Sequence, residues 1–534
     1  MWLINTTNFE LKMFTTSKSI PPYAILSHTW GKDNDELTFK EMVPGVESSP
    51  AAAKEGFEKI KMTCHLARTE YQLEYAWVDT CCIDKSSSAE LSEAINSMFN
   101  WYRQARICFV FFADLQPKSQ NFKSCKWFSR GWTLQELLAP RDIRFFDAVW
   151  EYRGNKQTLV SEISTNSGIS REVLTGVKGL QEIPIAVRMC WASNRETSRE
   201  EDAAYCLLGI FDVNMPMIYG EGEKAFLRLQ EEIIKRSSDM SIFAWMAPAD
   251  DAPTYTGILA RSLADFRRSG TAVQGDFGNS SVAPFSINNC GVNLWTSLHY
   301  DPDTGLCIMP VNCSLDEVRA PAPSDHASDE VWHAICLRRV GQYGLVRAFP
   351  TRLVPGILSN YESTIQVAPR ISPKQVLAIS QQVITIRNPN GFQGDDFNTD
   401  HQLINPAGCY DPSQNMIYAG YAATFLGTLR FLPVWEREYD SYVFILRFDR
   451  SRTDAPWRFV LVTGQDWLNC LNYRRVYGSN SLLFFQPGQE TSLRLQCKND
   501  QSKAKRIILT IVPPGPDDVH APWSQTIELS VVDE

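Results

Sequence analysis

The first 150 residues alternate between short apolar runs and helical segments with one apolar face, and this alternation constrains the fold most strongly. The apolar runs cover residues 23–27, 75–79, 107–112 and 142–146. Between them, apolar residues recur at intervals of three and four from Phe57 to Tyr71 and from Leu91 to Ala105, which is the period of a helix that buries one face. Strands alternating with helices predict an α/β domain with a mainly parallel sheet.

The pattern changes after this region. At 534 residues the chain is too long for a single ordinary core. A helical stretch is expected over residues 182–237, and from about residue 241 short β-type segments are broken by Gly, Pro, Asn and Asp. The clearest of these segments are 331–340, 375–386, 441–448, 458–463, 506–512 and 525–532. We therefore predict an α/β domain (1–150), its helical extension (151–245) and an all-β, sandwich-like domain (246–534).

Composition argues against several classes of protein. The net charge is −9 and no dense Lys/Arg block is present, so nucleic acid is a poor candidate partner. No apolar run is long enough for a membrane span and no signal peptide is evident, which predicts a cytoplasmic protein. The 14 cysteines lack C-x-x-C spacing, and His28 and His65 have no partner ligands at metal spacing. We expect neither disulfides nor a metal site, and no resident cofactor.

Polar and aromatic side chains follow the predicted strands. His28 and Trp30 come after the first strand, and Asp79 and Asp84 end or follow the second. Because the carboxyl ends of parallel strands meet at one edge of a sheet, these side chains are expected near a crevice there. Three further candidates, Arg130, Trp132 and Glu136, precede the fourth strand.

Three segments resemble the fungal heterokaryon-incompatibility (HET) domain in letters, order and spacing. They read YAILSHTWG (23–31), YAWVDTCCID (75–84) and SRGWTLQELL (129–138). Residues 189–222 resemble the segment that often follows this domain, so the likeness covers about residues 1–245. It implies a role in vegetative incompatibility and regulated cell death, an innate immune response of filamentous fungi. It also implies self-assembly and partners that are other HET, TIR-like or NLR-type proteins. The chain lacks the nucleotide-binding module and repeats of many such relatives.

HET domains are in turn similar to TIR domains, some of which cleave NAD. This resemblance implies a TIR- or flavodoxin-like fold and places Glu136 where the TIR glycohydrolases have their glutamate. The match departs by one extra residue between Ser129 and Trp132 and by Thr133 in place of Cys. It makes the domain a candidate NAD glycohydrolase with NAD as the substrate.

A single carboxylate is chemically sufficient for this reaction. Nicotinamide leaves as a neutral molecule from a cation, so no acid is needed to protonate the leaving group, unlike in ordinary glycosidases. Glu136 is the predicted catalytic residue, facing the positive charge that develops on the ribose. The predicted substrate-binding residues are His28, Trp30, Asp79, Asp84, Arg130 and Trp132. The Trp rings would stack on bases, Arg130 would pair with phosphate, and the remaining side chains would bind ribose or orient water.

Structural interpretations of the same residues stay open. Thr133-x-x-Glu136 is itself a capping-box pattern, so Glu136 is a candidate N-terminal helix cap. Asp79 and Asp84 suit a turn in which Asp bonds its own backbone. Trp30 and Trp132 suit the core, and Trp77, within an apolar strand, is predicted to be a core residue. At the level of function, the alternative is a non-catalytic HET/TIR-type interaction module, a signalling adaptor.

Overall fold

The computed structural model describes residues 1–371 with gaps and, beyond them, nine strands. The gaps are 33, 43–45, 47–49, 120, 250–254, 275–284, 290, 302–305, 316–331, 340–344 and 357–361.

A seven-stranded sheet organises the N-terminal region. Its strands are β1 (Trp2–Asn5), β2 (Leu11–Met13), β3 (Tyr23–His28), β4 (Tyr75–Trp77), β5 (Ile107–Phe111), β6 (Ile143–Phe146) and β7 (Tyr152–Asn155). They lie in the order β2-β1-β4-β3-β5-β6-β7. The central pairings β4-β3, β3-β5 and β5-β6 are parallel, and the outer three are antiparallel. The sheet is therefore mixed, and the predicted parallel arrangement holds only at its centre. Short connections explain the antiparallel hairpins β1-β2 and β6-β7.

The four parallel strands define a switch point. Numbered along the chain, they lie in the order 2-1-3-4 across the sheet, which is the start of one of the two common doubly wound orders. The chain moves outward from β3 to β4 and then crosses back to β5 on the other side of β3. Ligands of such sheets bind outside the carboxyl ends of the strands at this point, here next to His28 at the end of β3.

Four helices accompany this sheet: α1 (Phe39–Met42), α2 (Glu55–Tyr71), α3 (Ser88–Gln104) and α4 (Thr133–Leu138). The two helices predicted from apolar spacing are confirmed as α2 and α3. Ser87 caps α3, because its side-chain oxygen accepts a hydrogen bond from the Glu90 backbone N–H at 3.3 Å.

The next region is helical, as predicted. It contains α5 (Val160–Ser167), α6 (Arg171–Leu174), α7 (Ile185–Ala192), α8 (Asp202–Tyr205), α9 (Leu208–Phe211) and α10 (Lys224–Ile234). Short 3-10 helices span Ser17–Ser19, Pro50–Ala53, Phe122–Ser124, Lys126–Phe128, Leu180–Glu182, Met240–Phe243 and Leu263–Phe266.

The later part of the chain is rich in strands. One nine-stranded sheet contains β8 (Tyr255–Thr256), β10 (Ser286–Asn288), β11 (Gly291–Ser297), β12 (His299–Asp301), β13 (Leu306–Pro310), β15 (His333–Arg339), β16 (Leu345–Ala348), β17 (Val354–Pro355) and β18 (Glu362–Val367). A small sheet pairs β9 (Val273–Gln274) with β14 (Cys313–Ser314). A six-stranded sheet holds β19 (Val383–Arg387), β20 (Tyr410–Asp411), β21 (Met416–Tyr418), β25 (Glu490–Gln496), β26 (Ala504–Val512) and β27 (Gln525–Asp533). The last sheet holds β22 (Thr424–Phe431), β23 (Tyr442–Asp449) and β24 (Trp457–Thr463). Sandwich packing of these sheets and the two domain boundaries, after residues 150 and 245, stay predictions. Most of the predicted segment 375–386 lies outside the described residues.

One hydrophobic core runs from Leu3 to Val367 and joins the α/β, helical and first strand-rich regions. Trp77 is fully buried in it, as predicted. The ten cysteines within the described residues are free thiols, and all but Cys190 are buried. Among the described helices, none has the length and apolarity that crossing a lipid bilayer requires.

A candidate functional site at the carboxyl edge of the sheet

A cavity of about 620 Å³ opens beside the carboxyl end of β3. Six of the seven residues selected from the sequence line it, namely His28, Trp30, Asp79, Arg130, Trp132 and Glu136. These residues come from three separate segments of the sequence, around residues 28–30, 79 and 130–136.

Asp84 is the exception and does not line the cavity. Its Oδ1 accepts hydrogen bonds from the Ser86 backbone N–H at 2.9 Å and from the Ser86 hydroxyl at 2.6 Å. These two bonds lower the pKa of Asp84. The structure thus places Asp84 in the local turn that the alternative interpretation described.

Glu136 lies on α4 and is 6% exposed. Ser27 donates a hydrogen bond from Oγ to Glu136 Oε2 at 2.5 Å, and Trp127 donates from Nε1 to Ser27 Oγ at 2.8 Å. Burial raises the pKa of Glu136 to about 8, and the negative charge of Asp79 adds to this effect, while Ser27, Arg130 and Tyr102 oppose it. In these surroundings Glu136 is mostly protonated at pH 7.

The capping-box interpretation of Glu136 is wrong. The N-cap position of α4 is Trp132, and no side chain caps the helix there. The Thr133 hydroxyl instead lies 2.5 Å from the carbonyl oxygen of Trp127 and 2.8 Å from that of Arg130, and its single proton is shared between these two acceptors. Glu136 is therefore left facing Ser27 and the cavity.

His28 lies between two carboxylates and is buried. Its Nε2 is 3.7 Å from Glu36 Oε2, and its Nδ1 is 3.9 Å from Asp79 Oδ1. Burial disfavours ionisation of Glu36, but His28, the Gly31 backbone N–H and Lys59 outweigh it and lower the pKa of Glu36 to about 2. Glu36 thus supplies a fixed negative charge behind the cavity wall.

Trp30 presents an accessible indole at the mouth of the cavity. The side chain is 40% exposed, so it does not belong to the core. Its Nε1 donates to Asp79 Oδ2 at 2.8 Å, the Lys85 Nζ is 3.7 Å from the ring centroid, and the Arg130 guanidinium carbon is 5.1 Å from it. Asp79 Oδ1 and His28 Nε2 are buried without a hydrogen-bond partner among the described residues.

The helical region supplies another part of the wall. The Gly131 backbone N–H donates to Glu196 O at 2.8 Å, and the Glu196 N–H donates to Ser129 O at 2.6 Å. The approach is close, because a Cβ at Gly131 would lie 2.5 Å from Thr197 Cγ2 and would displace the Thr197 side chain. Residues 196–199 and 202 thereby line the cavity together with Tyr219.

Asp202 is a site residue that the sequence analysis missed. It accepts hydrogen bonds from the Tyr219 hydroxyl at 3.0 Å and from Trp132, and burial raises its pKa. Both Asp202 and Tyr219 lie in the stretch 189–222 that resembles the segment after HET domains. The resemblance of this stretch could have pointed to Asp202 and Tyr219, but nothing in the local sequence pattern connects these residues with Glu136.

The cavity is charged but nearly balanced. Its acidic residues are Asp79, Glu136, Glu196 and Asp202, and its basic residues are Lys85, Lys126, Arg130 and Arg199. Three aromatic residues, Trp30, Trp132 and Tyr219, lie among them. Such a lining suits a ligand that carries rings together with both positive and negative charge. Within the described residues, no group of three or more His, Cys, Asp or Glu side chains is arranged to hold a metal ion.

Parts of the chain match known protein families and one characterised relative. Residues 23–123 match the family model of the heterokaryon incompatibility protein (HET), and residues 224–332 match a domain of unknown function, DUF8212. The vegetative incompatibility protein HET-E-1 of Podospora anserina is 46% identical over 230 residues, which is 41% of this chain and 16% of that protein. The chain thus spans about a sixth of the length of this relative, and no solved structure matches it. The HET match contains His28, Trp30 and Asp79 of the cavity, and residues 23–123 of this chain form a heterokaryon incompatibility (HET) domain.

Proposed function

We propose that this chain is an intracellular effector of vegetative incompatibility that promotes regulated cell death by hydrolysing NAD. The similarity to HET-E-1 supports the biological role. The observation that carries the chemical part is the position of Glu136 in a cavity with aromatic and cationic side chains around it. The cavity of about 620 Å³ is within the range of small-molecule sites. The resemblance of HET to TIR domains favours the same chemistry.

The reaction converts NAD and water into nicotinamide, ADP-ribose and a proton. The bond between ribose C1 and the nicotinamide nitrogen breaks, and its electron pair neutralises the pyridinium ring. Ionised Glu136 stabilises the positive charge that develops on the ribose. Because the substrate ring is itself a cation, its binding lowers the pKa of Glu136 and favours the ionised form. Arg130, Arg199 and Lys126 are the groups suited to the diphosphate.

The test is nicotinamide release by the full chain. We expect the wild-type chain, concentrated or crowded so that the domain assembles, to release nicotinamide from NAD. Glu136→Gln is expected to lower kcat at least a hundredfold, because the amide carries no charge to face the ribose cation. Glu93→Gln, an exposed change on α3, is the matched control and keeps full activity. A wild-type chain without activity, or a Glu136→Gln variant as fast as wild type, would contradict NAD hydrolysis.

A second candidate function is a non-catalytic interaction module for other HET, TIR-like or NLR-type proteins. The observation that favours it is the bonding of Glu136 to Ser27, which gives this buried carboxyl a structural role. Overexpression of Glu136→Ala in a fungal host separates the two functions. Cell death without nicotinamide release indicates an adaptor, whereas a folded variant that does not kill indicates catalysis.

A further inference from the structure

A second cavity lies at the opposite edge of the seven-stranded sheet. Its volume is about 240 Å³, and its lining includes Ile107 and Ile143, the first residues of the parallel strands β5 and β6. The cavity next to Glu136 lies at the carboxyl edge, so the two cavities are separated by the length of the strands. None of the residues that line this second cavity belongs to the three HET motifs.

The second cavity is strongly cationic. Four of its residues are basic, Arg106, Arg141, Arg144 and Lys156, and only Asp142 is acidic, so the lining carries four positive charges and one negative charge. This local excess of +3 contrasts with a net charge of −9 for the whole chain.

The carboxylates near this cavity neutralise it only in part, since Glu70, which does not line the cavity, reduces the excess from +3 to +2. Asp142 Oδ2 is 3.5 Å from Arg106 Nη1, and Glu70 Oε2 is 2.6 Å from Arg144 Nη1. Both pairs are substantially exposed to solvent and contribute little free energy. Within the described part of the chain, Lys156 makes no ion pair.

Lys156 shows that the site is built into the fold. Lys156 is only 7% exposed. Within the described residues, its Nζ donates a single hydrogen bond, to the carbonyl oxygen of Pro140 at 3.1 Å. Burial lowers the pKa of Lys156 to about 8. A buried ammonium with a single carbonyl partner is unfavourable unless a further acceptor approaches it. An anion in the cavity provides that acceptor.

We propose that this cavity binds the phosphate group of a small phosphorylated ligand. A phosphate monoester carries close to two negative charges and offers three acceptor oxygens, which match guanidinium forks and an ammonium. A carboxylate, with one charge, would compensate only part of the excess. The cavity is smaller than a typical site for a whole drug-sized molecule, so the phosphate enters it and the rest of the ligand lies outside. The phosphate belongs either to a soluble metabolite or to a lipid headgroup.

Calorimetric titration of the full chain with inorganic phosphate and pyrophosphate, at constant ionic strength, tests the site. The Arg130→Gln/Arg199→Gln variant serves as background, because those residues line the first cavity and would bind the same probes. We expect saturable binding in this background and at least a tenfold loss when Arg106→Gln and Arg141→Gln are added. Both arginines are exposed, so the fold is expected to persist. Lys178→Gln, an exposed control, leaves the affinity unchanged.

Vesicle flotation identifies the source of the phosphate. Phosphatidylcholine vesicles with and without 5% of a phosphatidylinositol monophosphate are compared, again with the Arg106→Gln/Arg141→Gln change. If vesicles capture the chain only when they contain the phosphorylated lipid and the two arginines are present, the phosphate belongs to a lipid headgroup. If the chain binds inorganic phosphate or pyrophosphate but not these vesicles, the ligand is soluble. Absence of saturable binding to either, or binding that survives loss of both arginines, overturns the proposal.

Discussion

Glu136 illustrates how a single buried side chain links stability to pH. Its pKa is raised from 4.5 to about 8 because burial disfavours the carboxylate. Between these two pH values the folded chain binds a proton at this position that the unfolded chain has already released. The free energy of unfolding therefore falls as the pH rises from about 4.5 to 8.

Glu136→Gln should remove this pH dependence. The amide keeps an acceptor for the Ser27 hydroxyl but cannot ionise. At pH 8.5 the variant is expected to be more stable than wild type by about 1 kcal/mol or more, and at pH 4.5 the two should be nearly equal. Thermal unfolding followed by tryptophan fluorescence at both pH values measures the difference, with Glu93→Gln as control. A variant with the wild-type pH profile would show that Glu136 is ionised in the folded chain.

At the same scale, site residues could be predicted from the sequence where they follow strand ends, but not where long-range contacts bring them to the cavity. His28, Trp30 and Asp79 were found because parallel strands bring their carboxyl ends together. Asp202 was missed, since it belongs to the helical region, which meets the sheet domain through long-range contacts such as the pairing of Glu196 with Ser129, and no local pattern encodes them. Asp84 was predicted as a site residue because it follows the same strand as Asp79. Its carboxylate instead accepts a hydrogen bond from the Ser86 backbone N–H in the turn after that strand.

At the scale of elements, periodicity gave the buried helices and the central strands. α2 and α3 are long and have one apolar face, and β3 and β5 are continuous apolar runs. The outer strands were missed because they are short and partly exposed, as in β2 and β7. Their hydrogen bonds come from hairpin pairing at the sheet edges, and side-chain periodicity carries little information there.

The crossing of α3 and α9 yields a prediction about the first cavity. A Cβ placed at Gly209 on α9 would lie 2.0 Å from the Cβ of Phe99 on α3, so Gly209→Ala forces the two helices apart. We expect a loss of about 2 kcal/mol or more in stability. Because Ile95 and Met98 of α3 line the cavity, nicotinamide release should fall too.

Thermal unfolding of the full chain and the nicotinamide assay measure these two effects. Gly179→Ala is the matched control, since its added Cβ would meet only the flexible Glu182 carboxylate, at 3.2 Å. Equal melting temperatures for Gly209→Ala and wild type would mean that the helices do not cross this closely.

At the scale of the whole molecule, the helical region and the strand-rich region share contacts that the sequence did not predict. Gln230 of α10 donates to Ala260 O at 2.9 Å and accepts from Ala260 N at 2.9 Å. Trp245 donates from Nε1 to Ile258 O at 2.9 Å. The predicted boundary at residue 245 thus lies inside a set of buried hydrogen bonds. The sequence pattern shows where helical segments give way to β-type segments, but it does not show which residues pack against each other across that point.

Arg347 is the most informative probe of this junction. It lies on β16, is fully buried, and donates from Nη1 to Phe243 O at 3.0 Å and from Nη2 to Trp245 O at 2.5 Å. Its guanidinium carbon is 3.7 Å from the centroid of the Trp245 ring. Arg347→Met keeps most of the volume but leaves both carbonyl oxygens without this donor. The expected loss of stability is about 2–4 kcal/mol.

The location of this loss decides whether the regions unfold together. If the junction couples them, Arg347→Met accelerates amide hydrogen exchange in the N-terminal region as much as in the strand-rich region. Hydrogen exchange of the full chain, monitored separately in α3 and in β15, resolves the two. Arg352→Met is the control, because Arg352 is exposed and its guanidinium carbon lies 4.8 Å from the centroid of the nearby Phe349 ring. Faster exchange confined to β15 would show instead that the HET region is stable without the strands that follow it.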